Sequence, residues 1–174
     1  MQATAPISWG RDTDETTEDG MARARRRTEA LELETMLLSR YLIPNRRFSG
    51  QHSRRLERSW YTLLSRIVAQ GPMSLNELSD ALGLDVSTLN RQTAAMTKAG
   101  HLERLADPDG GMARKFRATP SGVDDLEADR RANAAGLGRV VADWSDEDVA
   151  DLVALLRRFN TDLENLDGRP WPRA

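Results

Sequence analysis

Between Asp85 and Lys98 the chain sets Ser87, Thr88, Asn90, Arg91 and Gln92 in close succession. What these residues share is hydrogen-bonding capacity rather than reactivity: hydroxyls, carboxamides and a guanidinium can donate to phosphate oxygens and read the edges of bases. Arg104, Arg114, Lys115 and Arg117 follow and add cationic donors. Other chemistries lack their residues. There is no cysteine, which excludes thiolate metal sites, disulfides and thiol redox sensing, and the two histidines, His52 and His101, are far from the i, i+4 spacing of a helical metal pair. Gly110-Gly111 is not followed by the Lys-Ser/Thr of a phosphate-cradling loop, and the serines lack a nucleophile elbow. Neither an enzyme nor a cofactor is expected.

The elements that must hold these donors can be read from caps and periodicity. Ser74 and Glu77 have the Ser-x-x-Glu spacing of a capping box, and Leu75, Leu78 and Leu82 share one side of the short helix it opens. Gly83 stops that helix, and Asp85 is placed to cap a second one carrying Val86, Leu89 and Met96 inward. The five polar residues then face away from most of that apolar stripe. Gly100 closes the second helix, His101–Leu105 reads as a strand, and Asp107-Pro-Asp-Gly-Gly111 is a turn cluster. Beyond the turn, Arg114, Phe116 and Ala118 alternate with Lys115 and Arg117, which predicts a return strand with a basic face. Helix, turn, helix and basic hairpin make a winged helix-turn-helix, whose second helix enters the major groove while the wing follows the backbone or reaches the minor groove.

Helices flank this core. One is predicted over 28–43, after a basic run at Arg23, Arg25, Arg26 and Arg27, with Leu31, Leu33, Met36, Leu37, Leu38, Tyr41 and Leu42 spread round more than one face. Pro44 ends it. A second carries Leu56, Trp60, Leu63, Leu64 and Ile67 on one stripe, closed by Gly71 and Pro72. Thr119-Pro120 starts a long helix with a discontinuous apolar side (Val123, Leu126, Leu137, Val140, Val141, Trp144). Ser145 with Asp148 opens the last, which bears Val149, Leu152, Val153, Leu156, Phe159, Leu163 and Leu166 before Gly168 and Pro170. These two helices are acidic outside, and their apolar stripe needs a partner, either the first helix or a second subunit.

The expected fold is therefore mainly α with a small β-hairpin wing, a winged helix-turn-helix with N- and C-terminal dimerisation helices. Residues 1–24 read as an acidic disordered tail, and 25–168 as one domain whose core spans about 54–119, with dimerisation helices over about 28–43 and 120–167. Residues 169–174 read as a C-terminal tail. A chain of 174 residues, 39% hydrophobic, suits one domain with a proper core. Its net charge of −2 conceals a basic middle: residues 21–119 carry 17 Lys and Arg against 10 Asp and Glu, between acidic ends. A polyanion-binding centre has that pattern. The N-terminus has no basic leader, and no apolar run approaches the roughly 18 residues of a membrane span, so a cytoplasmic protein without membrane contact is expected.

The run Leu78-Ser-Asp-Ala-Leu-Gly-Leu-Asp-Val-Ser-Thr-Leu-Asn-Arg91, then Gly100, Arg104 before the Asp107 turn, and Ala118-Thr-Pro-Ser-Gly122, closely resembles the multiple antibiotic resistance regulator (MarR) family, over roughly residues 25–168. The resemblance implies a homodimer in which the first and last two helices interlock, leaving two winged lobes to grip an inverted repeat in double-stranded DNA. It also implies that small phenolic or aromatic effectors, or oxidants in some branches, weaken DNA binding; the absence of cysteine removes the thiol route. Ser87, Thr88 and Arg91 match the family's recognition-helix contacts, Arg104 and Asp107 match the wing's entry, and Arg114 matches the wing arginine that usually pairs with that aspartate. The wing tip departs from the pattern, with Met112 where many relatives place a groove-inserting arginine. The family's ligand pocket would fall at Tyr41, His52, Arg54 and Trp60, and its dimer contacts at Leu31, Leu38, Leu152, Leu156, Phe159 and Leu163. The expected function is a sequence-specific transcriptional regulator, a homodimeric repressor whose DNA affinity responds to an aromatic ligand. The alternative is a winged-helix module that binds protein. The polar face at Ser87, Thr88, Asn90 and Arg91 favours DNA, because a protein-binding face would carry aromatic or aliphatic anchors.

Overall fold

The computed structural model describes residues 12–42, 55–106 and 113–173. They fall in two units, Met1–Asn45 and Arg46–Ala174. His52, Arg54, Asp107 and Met112 lie outside the described residues.

The first unit contributes one helix, α1, Asp12–Leu42. It begins well before the expected residue 28, so the stretch 12–24, read from sequence as tail, is helical. That stretch shows no apolar periodicity, but a helix does not require a stripe: no proline interrupts 12–42, and the Ala, Arg, Glu and Leu that dominate it past Gly20 lose little on entering a helix. An i, i+4 pair, Arg25 Nε to Glu29 at 2.8 Å, adds local support. Leu31, Leu33, Met36, Leu38 and Tyr41 are all exposed.

The second unit runs α2 (Arg58–Gln70), α3 (Leu75–Leu82), α4 (Val86–Lys98), β1 (Leu102–Leu105), β2 (Lys115–Ala118), α5 (Pro120–Val140) and α6 (Asp146–Asp167). Its core joins Leu63, Leu64 and Ile67 of α2 to Leu78 of α3, Leu89 and Met96 of α4, Leu102 and Phe116 of the hairpin, and Leu126 of α5. Each such side chain contributes about 1.5 to 3 kcal/mol on burial. Leu56 belongs to this core but precedes α2, whose N-cap is Glu57. The buried Asp129 carboxylate holds that approach by accepting the Arg55 and Leu56 N–H groups at 3.0 and 3.1 Å.

The capping box of α3 forms as expected: Glu77 N–H donates to Ser74 Oγ at 3.3 Å, and Ser74 N–H to the Glu77 carboxylate at 2.6 Å. Gly83 then turns the chain in the left-handed region at φ +63°, which favours glycine. Asp85 stands at the N-cap of α4, yet its side chain makes no capping hydrogen bond. The inward stripe of α4 is Leu89, Thr93 and Met96, all fully buried, while Val86, expected inward, is exposed. Thr93 tolerates burial because its hydroxyl donates to the Leu89 carbonyl at 2.8 Å.

β1 and β2 pair antiparallel with Arg104 opposite Phe116, and Met73 adds a short third rung, exchanging N–H···O bonds with Phe116 at 3.1 and 2.7 Å. The strict alternation expected for β2 fails at Lys115, which is buried beside Phe116. Trp144 lies beyond α5, in the turn before α6, where Ser145 Oγ accepts the Asp148 N–H at 3.1 Å. α6 contains no buried residue. Arg169–Arg173, read from sequence as a C-terminal tail, folds back onto α2, α3 and α6. No described helix is long and apolar enough to cross a membrane.

The wing joins α5 at a tight backbone crossing. Thr119 caps α5, its hydroxyl accepting the Gly122 N–H at 3.0 Å and donating to the Gly100 carbonyl at 2.6 Å, while its own N–H donates to the His101 carbonyl at 3.0 Å. A Cβ on Gly122 would stand 2.3 Å from the His101 carbonyl oxygen, a backbone atom that cannot step aside. Gly122→Ala should therefore destabilise the fold by about 1 to 3 kcal/mol, lowering Tm by about 2 to 4 °C per kcal/mol in a thermal melt. An unchanged Tm would contradict the crossing.

Candidate nucleic-acid interface

α4 is held by its inner stripe with the opposite side turned to solvent. Ser87, Asn90 and Arg91 are exposed together, and Ala94 and Lys98 continue the same face toward the C-terminal end. Thr88 is half-buried, and the Arg91 guanidinium lies 3.4 Å from its hydroxyl, which biases the arginine over the first turns of the helix. Gln92 is half-buried: its Oε1 is buried and has no hydrogen-bond partner among the described residues, so the amide is directed partly inward. Lys98 and Ala94 could have been read from the 87, 91, 94, 98 spacing once Thr93 was recognised as an inward residue.

The four wing cations are not equivalent. Arg104 is exposed but its guanidinium carbon lies 5.1 Å from the centroid of the Phe116 ring across the hairpin, a cation–π contact. Arg117 is exposed and paired with Glu103, its cross-strand neighbour, at 2.8 Å. Arg114 is exposed at the base of β2. Lys115, expected on the basic face of β2, is instead buried, with its ammonium 3.5 Å from Glu77 on α3. The Glu77 carboxyl is held below its ordinary range, first by the Ser74 backbone N–H and further by the Ser74 hydroxyl and Lys115. Lys115 thus ties the wing to α3.

Of the four residues placed at a ligand pocket by resemblance, two are described, and each belongs to a separate unit. Tyr41 is exposed on α1. Trp60 on α2 is half-buried and meets the His101 ring edge-on, with centroids 5.6 Å apart. His101 Nδ1 lies 3.7 Å from Asp125, which in turn accepts Arg55 Nη1 at 2.7 Å. The Arg55 guanidinium is accordingly held more firmly protonated, chiefly by that hydrogen bond. Leu31 and Leu38 on α1 and Leu152, Leu156 and Leu163 on α6 are exposed, and Phe159 on α6 is half-buried. Arg66, Asp129 and Trp171 carry long-range contacts that the sequence reading missed, since nothing local marks a mid-helix arginine or a terminal tryptophan as a partner.

The sequence profile of the MarR family matches residues 56–110, from the approach to α2 to just past β1. The uncharacterized HTH-type transcriptional regulator YxaD of Bacillus subtilis is 33% identical over 112 residues, covering 64% of this chain and 78% of the relative. Among solved structures, Rv1404 of Mycobacterium tuberculosis superposes with a TM-score of 0.64 at 21% identity, covering 86% of this chain and 97% of that one. A MarR family protein of Bacillus stearothermophilus gives 0.61 at 18%, covering 84% and 96%. At such identities the two structures speak to the fold, a winged helix between flanking helices, whereas the profile and the B. subtilis relative speak to descent. The chain belongs to the MarR family of transcriptional regulators.

Proposed function

We propose that the protein is a homodimeric repressor that grips an inverted repeat in double-stranded DNA, with one α4 helix in the major groove of each half-site. The observation that carries this reading is the exposed polar face Ser87, Asn90 and Arg91 on a helix whose other side is locked by Leu89, Thr93 and Met96. Arg91 can bond a guanine edge bidentately, Asn90 an adenine edge, and Ala94 can pack on a thymine methyl. Two-fold pairing is supported by apolar surface that the single chain leaves open: Leu152, Leu156 and Leu163 on α6 and Leu31 and Leu38 on α1 are all exposed. A two-fold dimer presents two α4 helices, so half-site centres should lie about 10 to 10.5 base pairs apart, or a multiple of that. Occupying promoter DNA in the cytoplasm, such a dimer represses by excluding polymerase.

The proposal includes an effector, on the resemblance alone: a small aromatic acid. Millimolar salicylate should then lower DNA affinity and perturb tryptophan fluorescence; no change in either removes the effector from the account.

Arg91→Ala should cost about 1 to 3 kcal/mol on the preferred site and flatten discrimination among sites. Arg114→Ala should weaken all duplexes alike and make the salt slope shallower by about one unit. Lys115→Ala, by contrast, should lower Tm and leave the salt slope unchanged, because the ammonium faces Glu77. Electrophoretic shifts over a salt series separate the three; a wild-type response from folded Arg91→Ala would show the recognition face to be misassigned. Leu156→Asp with Leu163→Asp should yield monomers by light scattering, since burying the charges in the interface is costly. A wild-type monomer at micromolar concentration would contradict the dimer.

A further inference from the structure

Because α6 has no buried residue, burial does not fix where its C-terminal end lies. A short strap does so instead. Gly168 reverses the chain at φ +70°, and the residues after it reach three helices. Arg169 Nε donates to the Asp80 carbonyl of α3 at 3.1 Å, and its guanidinium lies 3.1 to 3.3 Å from where a Cβ on Gly83 would stand, against the turn between α3 and α4. The Pro170 carbonyl accepts Arg66 Nη1 of α2 at 2.8 Å, and the Arg66 guanidinium carbon sits 5.3 Å from the Trp171 ring centroid. Trp171 N–H donates to the Glu164 carboxylate of α6 at 3.1 Å, and Arg173 Nη1 donates to the same oxygen at 2.7 Å.

Arg66 is the hinge of this arrangement. It is 7% exposed, and a buried guanidinium is costly unless its donors are met. Its partners are Gln70 one turn along α2, at 2.9 Å, and the strap. Burial pulls its pKa down and the Glu164 charge opposes that, while Glu164 is itself held ionised, chiefly by Arg173 and the Trp171 N–H. The strap therefore completes a buried charge site at the back of the helix-turn-helix.

We propose that Arg66, Arg169 and Trp171 are positioning residues: the strap fixes the helix-turn-helix relative to α6 and thereby sets the separation of the two α4 helices in the dimer. This rests on the DNA-binding dimer proposed above. The exposed leucines of α6 are where a second copy would pair, α4 is where each copy would read DNA, and the strap is a direct tie between α6 and the turn that opens α4. Separation matters because one added base pair shifts a half-site by about 3.4 Å and rotates it by about 35°. A rigid tie therefore gives strict spacing, and a loosened one gives tolerance.

The test uses the full chain and duplexes recovered by in vitro selection with the wild type, remade with half-sites moved by one and two base pairs. The wild type should bind the remade duplexes much more weakly than the selected one. Trp171→Ala should lose about 2- to 30-fold on the selected duplex and lose less on the remade ones, narrowing the spacing ratio; Trp171→Phe, which keeps a ring over Arg66, should restore it. Arg169→Ala removes a surface contact beside Gly83 without emptying the Arg66 site, and gives a second variant with the same expected narrowing should Trp171→Ala not fold. Hydrogen exchange at residues 80–86 should rise in both variants. Folded variants that keep the wild-type spacing ratio overturn this proposal alone, whereas a wild type that selects no duplex overturns the DNA-binding reading and this proposal with it.

Discussion

The unit that carries the helix-turn-helix is organised around one backbone crossing, where the end of α4, both strands of the wing and the start of α5 meet within a few atoms. The His101 N–H donates to the Met96 carbonyl of α4, and its carbonyl accepts the Thr119 N–H. Thr119 returns to the Gly100 carbonyl with its hydroxyl and caps α5 through Gly122, which is admitted because it has no Cβ. Backbone hydrogen bonds in a buried crossing must be met internally, so the directions of α4, wing and α5 cannot be adjusted one at a time. The His101 side chain extends the same constraint outward: it packs edge-on against Trp60 of α2 and faces Asp125 of α5.

This rigidity decides how the cations are used. Lys115 joins β2 to the Glu77 cap of α3, Arg117 pairs with Glu103, and Arg104 lies over Phe116. Three of the four wing cations thus stabilise the hairpin and its seat, the two exposed ones retaining outward surface as well. Arg91, by contrast, touches only a hydroxyl on its own helix among the contacts described. On the proposed DNA-binding reading, this distribution assigns discrimination to α4 and a supporting, shape-following part to the wing.

Much of this architecture was legible because it is written in local rules. Ser74 with Glu77, Gly83, Thr119-Pro120, and Ser145 with Asp148 each satisfy backbone groups within a turn of themselves, and each appears where its spacing placed it. What escaped depends on distant partners. Thr93 reads as polar, but its hydroxyl is met by its own helix, so it takes the inward place assigned to Val86. Lys115 reads as a solvent cation until α3 supplies Glu77. Residues 169–174 read as tail because the group they complete, Arg66, lies about a hundred positions earlier. The N-terminal half of α1 was missed for a different reason: a helix was sought by its apolar periodicity, and the sequence of that stretch carries no such pattern.

The central claim is that two copies of α4 read two major grooves on one side of a duplex. Guanine N7 methylation interference on a duplex selected by the full chain measures this directly, because N7 projects into the major groove beside the O6 that Arg91 would engage. The account predicts two symmetric patches of interference about one helical turn apart, or a multiple of a turn, with Arg91→Ala abolishing the strongest guanine in each. A single patch, or binding indifferent to N7 methylation throughout, would contradict it.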